Sequence, residues 1–269
     1  MGIINATPDS FHSASRKITL ESAISTSKNM HNNGATWIDV GGESTRPGAL
    51  DVTAEEELKR VIPIIKTIKK EIPDALISID TRKVEVAEMA IKAGACMIND
   101  VSGFKNKKMM DLAVKSQVAI CIMHMQGEPK SMQHEPKYEN CRKEIYDELK
   151  QKARSLVKMG LPKELIVLDP GIGFGKSATH NLELLQEISE LRGKGEEDSP
   201  EEGWRVLWGI SRKSIIGQIT GKKNTDERLS GTLATAAQAY LLGVDILRVH
   251  DVDEHIDFLK VFSEIRKCK

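Results

Sequence analysis

A single (β/α)8 TIM barrel is the fold class this sequence predicts, and three observations predict it. Short apolar runs alternate with longer amphipathic stretches eight times along the 269 residues. That length suits one large α/β barrel, whereas an open doubly wound sheet rarely holds eight such regular units. Each apolar run also delivers a polar or ionisable side chain at its C-terminal end, the face on which barrel enzymes place their chemistry.

The strand candidates are GIIN (2–5), TWIDV (36–40), ALISID (75–80), CMIND (96–100), VAICIMHM (118–125), LIVLDP (165–170), RVLWGIS (205–211) and ILRVHD (246–251). Helical patterns fall near 19–33, 53–71, 84–93, 107–115, 139–160, 180–192, 230–242 and 253–267. Thr19, Thr53 with Glu56 three residues on, and Asn181 stand where N-caps are expected. Gly34, Gly94, Gly160 and Gly243 stand where helices should stop. The one break in composition, RGKGEEDSPEEGW (192–204), reads as a helix-to-strand loop on the face away from the chemistry. No second domain is visible, so residues 1–269 are read as one barrel. The first strand starts without a lead-in, which suggests a domain excised from a longer, multi-enzyme polypeptide.

Composition narrows the function. Lys+Arg and Asp+Glu both number 39, so no net charge points to nucleic acid or a membrane surface. Aromatics make up 4%, too few for base-stacking platforms. Cys96, Cys121, Cys141 and Cys268 form no C-x-x-C pair and read as free thiols of a reducing compartment. No apolar run approaches the roughly 20 residues of a membrane span. The opening MGIINA carries neither a secretion nor a myristoylation signal. A cytoplasmic protein is expected, or an organellar one in a eukaryotic source.

Asn5, Asp39, Asp80, Asn99 (with Asp100), His124, Asp169, Ser211 (with Lys213) and His250 close the eight runs in turn. Any one of them could cap a helix or turn; eight of eight call for another reason. Asp80 and Asp169 lie on strands three and six, on opposite sides of the mouth, with Asn99 and Lys213 between them in barrel order. Two acceptors, an amide and an ammonium suit a flat heterocycle such as a 2-amino-4-oxo pterin. A carboxylate accepts its amino group and ring N–H in bidentate fashion. The competing reading is an ion pair between Lys213 and one aspartate. RVH (248–250) places Arg248 and His250 on one side of strand eight, and Arg46 lies in the loop GGESTRPGA (41–49). Such donors suit a phosphate or pyrophosphate, although Arg46 taken alone could be a solvated loop charge. Asn5, with Asp39 as second choice, offers oxygen ligands for a magnesium ion.

LDPGIGFGKS (168–177) imitates a phosphate-binding loop but fails its register, because Pro170 stands where the first glycine belongs. Proline would also remove a backbone donor. Lys176 and Ser177 therefore receive no phosphate role. The glycines are read as letting backbone and Phe174 come close to a substrate.

MGIINATPDSF (1–11), IDVGGESTRPGA (38–49), SIDT (78–81), INDV (98–101), MHMQG (123–127), LDPGIGFGK (168–176), GISRKS (209–214), ERLSGTLA (227–234) and RVHDV (248–252) together resemble the dihydropteroate synthase family. The resemblance implies condensation of 6-hydroxymethyl-7,8-dihydropterin pyrophosphate with p-aminobenzoate, giving dihydropteroate and pyrophosphate. It implies that Asp80, Asn99, Asp169 and Lys213 bind the pterin, with Met123 against its ring. Asn5 would ligate magnesium, and Thr45, Arg46, Arg248 and His250 would face the pyrophosphate. Catalysis would rest on Arg46, Lys213, Arg248 and His250. Pro47, Phe174 and Ser211 would border the p-aminobenzoate pocket, and Val249 would line the substrate beside Arg248.

The sequence departs from the family in one place. After TPDSF it reads HSASR (12–16), without the usual glycine pair, which puts the closure of that loop in doubt. Two rival functions are a pterin-binding methyltransferase barrel and a non-catalytic pterin-binding domain. The first would not need STRPG, SRKS and RVHDV together; the second has no use for a pyrophosphate site. LATAAQAYLLG (233–243) is small and apolar nearly all round, which together with the family resemblance points to a homodimer.

Overall fold

The computed structural model describes residues 1–6, 20–44, 48–127, 132, 135–192 and 203–267. Eight strands follow one another across a curled sheet: β1 (Gly2–Asn5), β2 (Trp37–Gly41), β3 (Leu76–Asp80), β4 (Met97–Asp100), β5 (Ala119–Met123), β6 (Ile166–Asp169), β7 (Arg205–Trp208) and β8 (Ile246–Leu247). Each pairs in parallel with the next. Just past β8, the Val249 N–H donates to the Met1 carbonyl, and the Val249 carbonyl accepts from the Ile3 N–H. The architecture is α/β and barrel-like, with the strands in the predicted order.

Side-chain alternation divides the strand residues into two apolar sets. Met97, Cys121, Val167 and Leu207 form one cluster with Trp37 and Ile246. The alternate residues, among them Ile38, Ile77, Ile98, Ile120 and Leu168, join a larger cluster with helix residues such as Val61, Ile65 and Leu149. The first set fills the inside of the curl and the second lies under the helices.

The helices are α1 (Leu20–Asn32), α2 (Ala54–Glu71), α3 (Val84–Ala93), α4 (Lys107–Ser116), α5 (Cys141–Lys158), α6 (Ala178–Gln186), α7 (Ser189–Arg192), α8 (Ser214–Thr220), α9 (Leu229–Leu242) and α10 (Val252–Lys267). Thr53 caps α2 as expected, accepting from the Glu56 N–H. Asn181 does not cap its helix; Ser177 does, and α6 begins earlier than the periodicity suggests. The predicted helix 180–192 is two pieces, because Glu187 is extended and turns its carboxylate onto the Ile188 and Ser189 N–H groups. The seven-residue α8 escaped a search for long periodic segments. Thr19, Cys268 and most of 192–204 lie outside the described residues.

Charged side chains fix the chain on both sides of segment 45–47. Glu57, fully buried in α2, accepts from Lys83 Nζ at 2.6 Å, and Lys83 also pairs with Glu43 at 3.0 Å. Glu43 holds Arg82 and accepts the Val52 N–H, while Arg82 reaches Asp51. Burial alone would raise the Glu43 pKa, but hydrogen bonds from Arg82 and Val52 and the Lys83 charge leave it lowered. Lys83→Met would strand the Glu57 carboxylate in the interior and should cost about 3 kcal/mol of stability. Urea denaturation would measure the loss, and an unchanged midpoint would show that the pair contributes nothing.

Candidate active site

The strand register gathers the polar side chains at one end of the sheet. Asp80 is opposite Gly41 on β2 and Asn99 on β4, and Asp169 is opposite Met123 on β5. At the centre stands Arg248. Its Nε donates to Asp39 Oδ2 at 2.6 Å, and its Nη2 donates to Asp80 Oδ2 at 2.6 Å. Asn99 Nδ2 donates to the same Asp39 oxygen at 3.2 Å.

This geometry corrects two expectations. Asp39 is the third residue of β2, two short of its end, and is fully buried. Its Oδ2 serves Arg248 and Asn99, while its Oδ1 is buried without a hydrogen-bond partner among the described residues. It thus anchors a guanidinium inside the sheet, away from the open mouth where magnesium was expected. Arg248, expected as an open anion donor, instead bridges two carboxylates. Asn5 does end β1, half-buried, with a hard amide oxygen of the type magnesium takes. Among the described residues, no group of three or more His, Cys, Asp and Glu side chains is gathered to hold a metal.

Burial raises the pKa of Asp80; Arg248 pulls it back, Asp39 and Glu57 push it up again, and it settles at about 7. Burial likewise raises Asp169, against the opposing Gly171 N–H and the charges of Lys213, Lys176 and Arg248. Asp100 is also raised by burial, yet its oxygens accept from the Ser102 and Phe104 N–H groups. It is a turn residue and no part of a binding surface.

Lys213 Nζ lies 3.9 Å above the centre of the Phe174 ring, and its charge also acts on Asp169. Phe174 packs against a cluster of Val101, Met123, Met125 and Met132, a soft apolar wall beside the carboxylates. Ser211 Oγ accepts the His250 N–H at 3.2 Å and lies 3.0 Å from His250 Nδ1. The direction of that second bond follows the tautomer of the His250 ring. Val249 contributes backbone bonds, while its side chain turns into the large apolar cluster.

The glycine turn after β6 has a packing reason. Gly171 and Gly175 have φ of +68° and +61°. A Cβ at Gly171 would meet the His124 carbonyl at 2.0 Å, and one at Gly175 would meet the Gln126 carbonyl at 2.4 Å. Only glycine lets this turn lie on the chain leaving β5. Ser177 caps α6 and Lys176 is buried, pointing inward. Thr45, Arg46, Pro47 and the segment 12–16 lie outside the described residues.

Sequence reading missed Arg212. At φ +57°, it sits between Ser211 and Lys213 and clamps Asp251 through Nε and Nη2, with Nη1 on Asp226. It fixes the exit of β7 to the exit of β8. No strand alternation marks it, because the chain has left β7 and turns at this residue.

The model of the pterin binding enzyme family matches residues 1–250. The chain belongs to the dihydropteroate synthase family of pterin-binding enzymes. The dihydropteroate synthase of Escherichia coli strain K12 is 42% identical over 269 residues, covering 100% of this chain and 92% of that protein. A crystal structure of the Yersinia pestis dihydropteroate synthase in a sulfonamide drug complex superposes with a TM-score of 0.90 at 38% identity, covering 99% of this chain and 93% of that one. The folic acid synthesis protein of Pneumocystis carinii is 42% identical over 99% of this chain, which spans 36% of that longer protein.

The raised carboxylates predict a pH dependence. An unfolded aspartate titrates near 4, so between there and about 7 the native Asp80 keeps a proton that the unfolded chain has released. Stability therefore falls as pH rises through that window. Asp80→Asn removes this contribution, so the variant's melting temperature relative to the parent's should be higher at pH 8 than at pH 5. Parallel thermal melts at the two pH values test this; an equal shift at both would show that Asp80 is ionised throughout.

Proposed function

We propose that this chain is a dihydropteroate synthase, joining 6-hydroxymethyl-7,8-dihydropterin pyrophosphate to p-aminobenzoate with release of pyrophosphate. The observation that carries the reading is the group of acceptors, buried Asn99 and Asp169 with the largely buried Asp80, beside the Lys213–Phe174 pair and the methionine wall. A pterin presents a donor pair to a carboxylate, a carbonyl to an ammonium and a flat face to sulfur and aromatic carbon. Asp169 accepts the donor pair, and Lys213 reads the ring carbonyl and neighbouring nitrogen.

The C–O bond to pyrophosphate breaks with its electron pair leaving on oxygen, and the pterin methylene is left as a delocalised cation. The neutral arylamine supplies the pair for the new C–N bond and loses one proton to solvent. The His250 ring and the Arg248 charge stabilise the departing anion, and Thr45 and Arg46 supply further donors as the resemblance implies. A magnesium ion, held by Asn5 together with pyrophosphate oxygens and water, would neutralise leaving-group charge. Pro47, Phe174 and Ser211 position the arylamine. No covalent intermediate is needed, so the cysteines stay outside the chemistry.

The fold in this reading is a closed (β/α)8 barrel of one domain, supported by the bonds from Val249 to Met1 and Ile3. The length of the fungal relative supports a chain that occurs in some settings as part of a multi-enzyme polypeptide. Tyr240 and Leu241 on α9, with Val261 and Ile265 on α10, are exposed apolar residues beside the Tyr240–Phe262 ring contact. They support a homodimer through this face. Cys96, Cys121 and Cys141 are free thiols, which fits the cytoplasm, and no described helix is long and apolar enough to cross a membrane.

Incubating the chain with both substrates and magnesium should release pyrophosphate, and neither a methyltransferase nor a binding domain would do so. Asp169→Asn should weaken pterin affinity by about 2–5 kcal/mol, since it presents an amide donor to the ligand's donors. Calorimetry with a pterin ligand measures it, and undiminished affinity would assign Asp169 to turn-capping alone. The resemblance gives Thr45 and Arg46 to the pyrophosphate and Pro47 to p-aminobenzoate, so one short segment serves two ligands. A sulfonamide, as a p-aminobenzoate mimic, should then bind more tightly with pyrophosphate and magnesium present, by about 1–3 kcal/mol. Identical titrations with and without the anion would remove that coupling.

A further inference from the structure

Lys176 lies in the LDPGIGFGKS turn yet has no contact assigned to it by the proposed reaction. It is 3% exposed, among the most buried charged side chains of the described chain. Its Nζ lies 2.8 Å from the Phe174 carbonyl, 3.0 Å from His124 Nδ1 and 3.3 Å from the His124 carbonyl. An ammonium has three donors and no acceptor, and this cage offers three acceptors provided that His124 Nδ1 carries a lone pair. The Glu148 carboxylate, 3.5 Å from His124 Nε2, draws the ring proton to that other nitrogen. The pocket is thus matched to a cation.

Packing does not account for it. A methionine fills similar space without the cost of desolvating an amine. Burial pulls the Lys176 pKa down to about 7, against the opposing charges of Asp169, Cys141 and Glu148, with Lys213 adding to the fall. Something must hold a lysine where an apolar side chain would be more comfortable, and its contacts show what it does. The carbonyl it grips belongs to Phe174, whose ring carries the Lys213 ammonium at 3.9 Å. The carbonyl of His124, its other partner, is the atom on which the Gly171 turn rests. Glu148, His124, Lys176, Phe174 and Lys213 form one chain of contacts joining α5, the exit of β5, the turn after β6 and the start of α8.

We propose that Lys176 is a positioning residue: by gripping the Phe174 carbonyl it fixes the ring under Lys213 and so sets the geometry of the pterin pocket. The inference deepens the functional reading above and rests on it. Lys176 touches no reacting atom. Its removal should therefore weaken pterin binding through Phe174 and Lys213 and leave the chemical step nearly intact.

The test is Lys176→Met in the full chain, with steady-state kinetics and with calorimetry of 6-hydroxymethylpterin. The KM for pterin pyrophosphate should rise about tenfold with kcat within about threefold of the parent. In a Phe174→Leu background the same change should add less than about twofold, because the ring it positions is gone. An unchanged KM with a lower melting temperature would overturn the proposal and leave Lys176 a structural residue; so would effects of the two substitutions that multiply. Should Lys176→Met fail to fold, His124→Phe keeps the amine and removes the ring acceptor. It should raise the KM about threefold, and an unchanged KM there overturns the proposal as well. A parent protein that binds no pterin would sink the functional reading itself, whereas a parent and variant that bind it equally would sink only the role of Lys176.

Discussion

A guanidinium buried between two carboxylates governs the mouth of this sheet. Asp39 and Asp80 arrive on neighbouring strands, and neither could remain ionised there alone, because a desolvated carboxylate needs a cation or a proton. Arg248 supplies the cation from the chain just past β8. That strand has only two residues of ladder, so backbone pairing there is thin. The ion triad and the Val249 backbone bonds complete what the ladder leaves unfinished. The contacts at the mouth and the joining of the chain past β8 to β2 and β3 thus depend on the same side chain. Changes to Arg248 will mix stability with function and are poor probes of either.

Under the proposed function the site suits a ligand rich in N–H donors. Burial raises the pKa of Asp80 and Asp169 and lowers that of Lys176. A neutral heterocycle with an amino group and ring N–H groups would give the raised carboxylates hydrogen bonds that favour their charged form, without changing the net charge of the site.

Much of this was legible in the sequence because alternation and strand ends are local signals. Asn5, Asp80, Asn99 and Asp169 fall at their strand ends as the apolar runs require. Asp39 was misread for a physical reason: the run TWIDV stops at residue 40 while the ladder continues to Gly41, which leaves the aspartate inside the sheet. Arg248 was placed on the right strand, but its contacts with Asp39 and Asp80 went unread, since no sequence pattern reveals which charges two strands bring together across a curl. Lys176 and Arg212 were invisible for a related cause. Their roles are set by carbonyls and carboxylates contributed from other βα units, and a lysine or arginine in a loop looks the same whether it faces water or the interior.

The turn after β6 shows how far composition can mislead when geometry is not in view. In a phosphate-binding loop, glycine N–H groups converge on an external anion. Here the Gly171 N–H donates to Asp169 Oδ1 and the Gly173 N–H to Asn181 Oδ1, both at 2.7 Å. The Phe174 N–H donates to the Gly171 carbonyl. The donors of the turn are engaged by the protein's own acceptors, and its lysine points into the interior. A negative ligand would find little to bind. What the turn offers outward is the Asp169 carboxylate, made rigid by the N–H it receives and raised in pKa by burial. The same three glycines that would build an anion cradle in another register build an acceptor site here, and the difference comes down to Pro170 and to which side of the turn the aspartate stands.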